Sequence, residues 1–277
     1  MKIDVCLEMI LTDQPVAKRM KVIAEAGYEA VEFWHYDATF DGHANSLRFP
    51  KDPAELRQLS KEYGLEIVCI GSNTPDGAVG GSPVDSRQQN RFLERLEEAM
   101  AFAAEVSCPR IIVLAGQEEA ALTRNEMRAN LERTLSVAAN TAAKRGIVLL
   151  LEPLNLVDHP GYYLDSTEEA FEIVRAVNNP SLKILYDIYH MQVMEGNIIS
   201  RLESAIGYIG HFHAAGVPGR HELFLGELNY ANIVKRIGAA GYEGFFGLEY
   251  LPSLADASVS LRKTAEYLAS GAVSLLP

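Results

Sequence analysis

Four apolar runs in the second half of the chain end in groups that bind cations: Leu150-Leu151-Glu152, Leu185-Tyr186-Asp187, His211-Phe212-His213 and Gly247-Leu248-Glu249. Two glutamates, one aspartate and one histidine make a hard, mostly oxygen donor set. It suits Mn2+ or Mg2+, with Co2+ or Zn2+ as tolerated substitutes. A lone glutamate after an apolar run is more often a solvated residue, and a lone histidine beside Phe212 more often a satisfied core group. Four in succession are poorly explained that way. Three carboxylates gathered at one point would repel one another and rise in pKa, and a divalent ion removes that problem.

These groups meet only if the runs are neighbouring strands with their ends at one level. The chain has the required alternation. Short runs rich in Val and Ile, at 3–8, 30–34, 66–71, 110–115, 148–152, 183–187, 209–213 and 244–249, are separated by longer helical patterns. Val148-Leu149-Leu150-Leu151 is apolar at every position, as a strand covered on both faces by helices should be. The helical stretches carry their own punctuation. Asp52-Pro53 opens one and Gly64 closes it, Ser166 to Glu169 resembles a capping box, and a long amphipathic stretch runs over 86–106. Eight strand–helix units of about 35 residues each predict an α/β fold, a single (β/α)8 TIM barrel domain spanning 1–277. Chemistry in such a barrel sits at the carboxyl ends of strands, and strands ~4.8 Å apart let four adjacent ends converge on one ion. The rival, an open doubly wound sheet, lacks its Gly-x-Gly-x-x-Gly turn after the first run.

Composition narrows the partners. Apolar residues are 48% and charged residues 22%, which is ordinary for a globular chain. The net charge of −12 repels phosphate backbones, so neither nucleic acid nor an anionic membrane is expected as a partner. No apolar run approaches the ~20 residues that span a bilayer. The opening Met1 to Ile10 has no charged segment followed by a long apolar one, and Cys6, Cys69 and Cys108 form no Cys-x-x-Cys pair. A cytoplasmic, reducing setting is expected. No glycine-rich loop after the seventh or eighth run would cradle a phosphate, so the substrate is expected to be non-phosphorylated.

Several longer motifs resemble the hydroxypyruvate isomerase family. They are Glu152-Pro153-Leu154-Asn155, Pro160-Gly161-Tyr162-Tyr163-Leu164, Asp187-Ile188-Tyr189-His190-Met191-Gln192, Gly216-Val217-Pro218-Gly219-Arg220-His221-Glu222, Gly226-Glu227-Leu228-Asn229-Tyr230 and Gly247-Leu248-Glu249-Tyr250. That family belongs to the xylose isomerase-like barrels, which also include ketose 3-epimerases such as D-tagatose 3-epimerase. The resemblance covers the whole chain in layout and is specific from Glu152 to Tyr250. It implies that Glu152 and Glu249 bind metal and act as the acid/base pair, that Asp187 and His213 complete the metal shell, and that His190 and Arg220 bind substrate oxygens. One departure stands out: hydroxypyruvate isomerases often carry Gln where His213 stands, and ketose 3-epimerases carry His.

The chemistry implied is proton transfer beside a carbonyl, through an enediolate, between two glutamates. A small sugar or keto acid is the expected substrate, with hydroxypyruvate first, free ketose epimerisation and sugar dehydration as alternatives on the same barrel. A DNA-repair endonuclease would want more histidines and a basic groove, and a non-catalytic binding barrel would not need both glutamates. Arg220 could grip a carboxylate bidentately or be a surface residue; His190 could donate to a substrate or cap a helix starting at Met191. Asp158, in the loop after the fifth run, is a further substrate-binding candidate. Weaker candidates are Glu8, Glu32, Trp34, His35 and His211. The loop 71–83 is read as a lid with Gly80-Gly81 as hinge, and apolar residues around Phe224 and Leu225 as a face for a homo-oligomer.

Overall fold

Each apolar run forms a parallel strand followed by helical chain. In order these are β1 (Lys2–Cys6), α1 (Val16–Glu25), β2 (Ala30–Trp34), α2 (Pro53–Tyr63), β3 (Glu66–Gly71), α3 (Gln89–Glu105), β4 (Arg110–Leu114), α4 (Arg124–Ala143), β5 (Val148–Glu152), α5 (Thr167–Val177), β6 (Leu182–Asp187), α6 (Ile188–Met194), α7 (Ile198–Ala205), β7 (Ile209–Ala214), α8 (Tyr230–Ala239), β8 (Phe245–Leu248) and α9 (Ala257–Ser270). The structure, a computed structural model, describes residues 1–35, 51–73, 77 and 80–270. The strands close in sequence order into a barrel, with β1 pairing both β2 and β8. The expected (β/α)8 architecture is therefore the observed one. Leu149, Leu150 and Leu151 are fully buried, as a strand between barrel interior and helix layer must be.

Local signals explain the helix ends. Asp52 caps α2, its Oδ1 accepting from Ala54 N and Glu55 N, and Gly64 ends it at φ 66°. Ser166 caps α5 by accepting from Glu169 N, but the Glu169 carboxylate accepts from Tyr163 Oη and Arg124 instead of turning back to Ser166. The full reciprocal box opens α4, between Thr123 and Glu126.

The strand ends shift slightly from expectation. β1 stops at Cys6, which leaves Glu8 in the turn beyond it, and β8 stops at Leu248, one residue before Glu249. The amphipathic stretch expected from 86 forms helix only from Gln89. Between β6 and β7 the chain makes two short helices, and the first begins at Ile188 rather than Met191 because Asp187 itself is its cap. Register then places Asp4 opposite Gly247, Gly247 opposite His213 and His213 opposite Asp187, one row across β1, β8, β7 and β6. Among the described residues no helix is long and apolar enough to cross a membrane.

Candidate metal centre

The ends of β5, β6 and β7 and the first residue after β8 bring one donor atom each from Glu152, Asp187, His213 and Glu249 to within 4.8 Å of one another. All four residues are buried. His213 Nδ1 lies 3.3 Å from Glu249 Oε2 and 3.7 Å from Glu152 Oε1 and makes no hydrogen bond. Asp187 divides its oxygens: Oδ1 accepts from Tyr189 N at 2.7 Å and His190 N at 3.3 Å, while Oδ2 lies 3.4 Å from His190 Nε2. A buried imidazole nitrogen without a bond, ringed by three carboxylates, has the donor chemistry that a hard divalent cation requires.

Burial raises the Glu152 carboxyl to about 7 and the Asp187 carboxyl to about 6, despite neighbouring cationic groups. Burial pushes Glu249 the same way, but Arg220 and His213 outweigh it and bring Glu249 to about 2. The two glutamates thus differ by their access to Arg220.

A second polar layer lies beneath. Glu32 Oε1 is 2.8 Å from His213 Nε2, and Glu32 Oε2 is 3.1 Å from His211 Nε2. Asp4 Oδ1 is 3.8 Å from His211 Nε2. Burial, reinforced by Glu32, holds the Asp4 carboxyl well above the usual range, and burial keeps His211 low. His211 therefore lies deeper than His213, as its strand parity suggests.

The substrate-side candidates fall into two groups. His190 is buried in α6 beside the cluster. Its Nδ1 accepts from Asn155 N at 3.2 Å, which leaves Nε2 on the Asp187 side, and burial keeps the ring neutral. Arg220 is largely buried and donates to Glu249 Oε2 and, through Nε, to Glu249 O at 3.3 Å. Its guanidinium sits 5.2 Å over the Tyr189 ring. The surface-arginine alternative is thereby excluded. Asp158 is exposed at the rim, where Oδ2 accepts from Tyr189 Oη at 2.7 Å and Asn155 Nδ2 at 2.9 Å.

The weaker candidates separate as well. Glu8 accepts from Trp34 N at 3.0 Å and pairs with Lys51 at 2.5 Å, so its carboxylate joins β1, β2 and the start of α2. Trp34 is half-buried at the end of β2, whereas His35 packs on Phe102 of α3, on the helix side of the sheet, and does not extend a wall over the cluster. In the loop read as a lid, residues 74–76, 78 and 79 lie outside the described residues. Gly80 there is buried so close to Asn73 that a Cβ would come within 2.4 Å of the Asn73 Cβ, so close packing is the reason for this glycine, not hinge freedom. Leu225 is 57% exposed, and Phe224 contacts Tyr267.

Sequence reasoning gave no role to three residues that hold the site together. Asn155 fixes His190, and Tyr189 links Asp158 to Arg220. Glu222, fully buried, accepts from Ser253 N, Leu254 N, Ser253 Oγ and Ser260 Oγ and so ties the loop after β7 to the chain after Glu249. No local periodicity links positions 222 and 253. Only the adjacency of β7 and β8 could have found that contact.

Residues 20–270 match the family of xylose isomerase-like TIM barrels. A 2-oxo-tetronate isomerase of Cupriavidus necator is 34% identical over 249 residues, covering 89% of this chain and 91% of the relative. The hydroxypyruvate isomerase of Escherichia coli is 31% identical over 248 residues, covering 89% and 92%. Among solved structures, a family 2 AP endonuclease from Brucella melitensis superposes with a TM-score of 0.84 at 28% identity, covering 96% and 99%. The chain belongs to the xylose isomerase-like barrel family, as a metal-dependent isomerase of its hydroxypyruvate and 2-oxo-tetronate isomerase branch.

Proposed function

We propose that Glu152, Asp187, His213 and Glu249 hold one divalent cation, Mn2+ or Mg2+ before Co2+ or Zn2+, and that the enzyme isomerises small non-phosphorylated keto acids of the hydroxypyruvate and 2-oxo-tetronate type. The observation that carries this is the convergence of four donor atoms within 4.8 Å, with His213 Nδ1 unbonded among them. A bound ion supplies Lewis acidity, lowering the cost of negative charge on the carbonyl and adjacent hydroxyl oxygens. The remaining work falls to side chains of this chain.

One of Glu152 and Glu249 takes the proton from the carbon beside the carbonyl, and the other returns a proton to the neighbouring carbon. Arg220 forms a bidentate pair with the substrate carboxylate, moving partly off Glu249 to do so. His190 donates from Nε2 to a substrate oxygen, since its Nδ1 already accepts from Asn155. Asp158 serves a substrate hydroxyl from the rim while its Oδ2 anchors Tyr189. Three free, buried cysteines suit a reducing, cytoplasmic setting.

The test is an assay of metal-stripped and Mn2+-restored protein with hydroxypyruvate, 2-oxo-tetronate and free ketoses in deuterated water. Restored turnover of a keto acid, with solvent deuterium on the carbon next to the original one, is expected. No turnover of any of them overturns the reading. His213 favours a second reading, epimerisation of free ketoses, in which deuterium appears on the original carbon with inverted configuration. Loss of water from the substrate would instead indicate a dehydratase.

A further inference from the structure

We infer that Glu32 is a positioning residue that fixes His213 as a ligand through Nδ1. The inference rests on the cation-site reading above and deepens it. A neutral imidazole has one N–H and one lone pair, and the partner of one nitrogen decides the role of the other. His213 Nε2 faces Glu32 Oε1 at 2.8 Å, an ion-pair contact without hydrogen-bond alignment, and neither atom has a hydrogen-bonding partner among the described residues. An ionised carboxylate only accepts, so the proton between them belongs on Nε2. With a cation bound, Nδ1 would then turn its lone pair to the point it shares with Glu152, Asp187 and Glu249.

Glu32 is itself held in place. Its second oxygen contacts His211 Nε2 at 3.1 Å, and the two imidazoles stand edge to face, 5.2 Å apart at 81°. Room for this arrangement comes from Gly247 on β8. A Cβ there would lie 2.8 Å from His213 Cδ2, 3.0 Å from Glu32 Oε1 and 3.1 Å from His211 Nε2. An apolar residue at position 32 would fill the barrel without the cost of burying a carboxylate. The arrangement makes sense if its product is the orientation of one ring.

The experiment measures Mn2+ binding to the full chain by calorimetry, in the wild type, Glu32→Ala and Glu32→Gln. Glu32→Ala is expected to bind Mn2+ about 10–100-fold more weakly. Glu32→Gln recovers most of that affinity, because an amide oxygen can still face Nε2–H at the same place. A cavity at position 32 can unfold the barrel, so the wild type answers the same question directly. A long-range proton–nitrogen correlation spectrum of the Mg2+-loaded protein should place the His213 ring proton on Nε2. A proton on Nδ1, unchanged Mn2+ affinity in folded Glu32→Ala, or equal losses in the Ala and Gln variants overturns the positioning role. A wild type that binds no Mn2+ removes the cation reading and this inference together; a wild type that binds it, with affinity indifferent to Glu32→Ala, removes this inference alone.

Discussion

The barrel holds two layers of carboxylate and imidazole that share His213 and differ in what surrounds them. In the upper layer, Glu152, Asp187 and Glu249 face His213 Nδ1 near Arg220, His190 and the rim residue Asp158. In the lower layer, Asp4, Glu32 and His211 lie inside the barrel, with Gly247 opposite. Burial affects both, but among the described residues the upper layer has partners from the segments after the strands, Arg220 and His190, while the lower layer contacts groups on the strands themselves. The same residue types therefore meet loop and helix residues at the strand ends and one another one step below.

The comparison predicts that changes in the upper layer strike rate and changes in the lower layer strike stability. The largest effect is expected for Glu152→Gln and Glu249→Gln. Each should cut kcat by about 10²–10⁴-fold, the usual contribution of a positioned acid or base. In metal-free protein the melting temperature of Glu152→Gln should stay near the wild-type value or rise, because burial already pushes that carboxyl toward its neutral form. Glu249→Gln should instead melt lower, because Arg220 loses the carboxylate it donates to. Steady-state kinetics beside calorimetry reads both quantities. A variant that keeps its rate but melts early would assign the upper layer to structure and erase the distinction.

Metal addition gives the next largest effect. A ligand that binds only the folded chain stabilises it by about 2.7 kcal/mol at a hundred times its dissociation constant, on the order of 5–10 °C for a chain of this size. Stripped protein should gain that shift when Mn2+ is restored, and Asp187→Asn should lose most of it. A full shift in Asp187→Asn would place the ion elsewhere.

What could be read in advance follows the same division. The strand ends were legible because each polar group closes an apolar run, and because β5 to β8 are consecutive in both sequence and space. Glu152, Asp187, His213 and Glu249 needed only that regularity. The lower layer was half legible: the parity of His211 with His213 places both inside, but nothing local indicates that Glu32, 179 residues from His211, bonds that ring and lies 2.8 Å from His213. Gly247 reads as a weak point in a strand until its three neighbours are known. The α6 start was misread because Asp187, which ends β6, also caps the helix that follows at once, and nothing in the apolar run marks that second use. Gly80 and Gly81 suggested freedom, where Gly80 answers instead to the close approach of Asn73.

Gly247→Ala tests the lower layer with a smaller expected effect. Its Cβ would press on His213, Glu32 and His211 together, and all three are buried against one another with little room to withdraw. Overpacking of this kind costs about 1–3 kcal/mol. The midpoint of urea unfolding should fall accordingly. An unchanged midpoint would mean that the interior layer is loosely set, and its contrast with the mouth would weaken.

The smallest expected effect concerns the clamp between the loops that border both layers. Burial would raise the Glu222 carboxyl, but hydrogen bonds from Ser253, Ser260 and the Leu254 backbone outweigh it and hold the group below its ordinary value. The folded state thus favours the ionised form more than the unfolded chain does. The resulting stability is complete above about pH 5 and disappears as the pH falls through the lowered folded value. Glu222→Gln removes that contribution at every pH. The gap in urea midpoint between wild type and variant should be widest at neutral pH and narrow on acidification below the ordinary glutamate range. Since the cluster carboxylates are common to both proteins, their titration cancels in this difference. A gap that stays constant with pH would mean that the clamp acts through shape alone, and that the charge of Glu222 contributes nothing to holding Arg220 and Glu249 together.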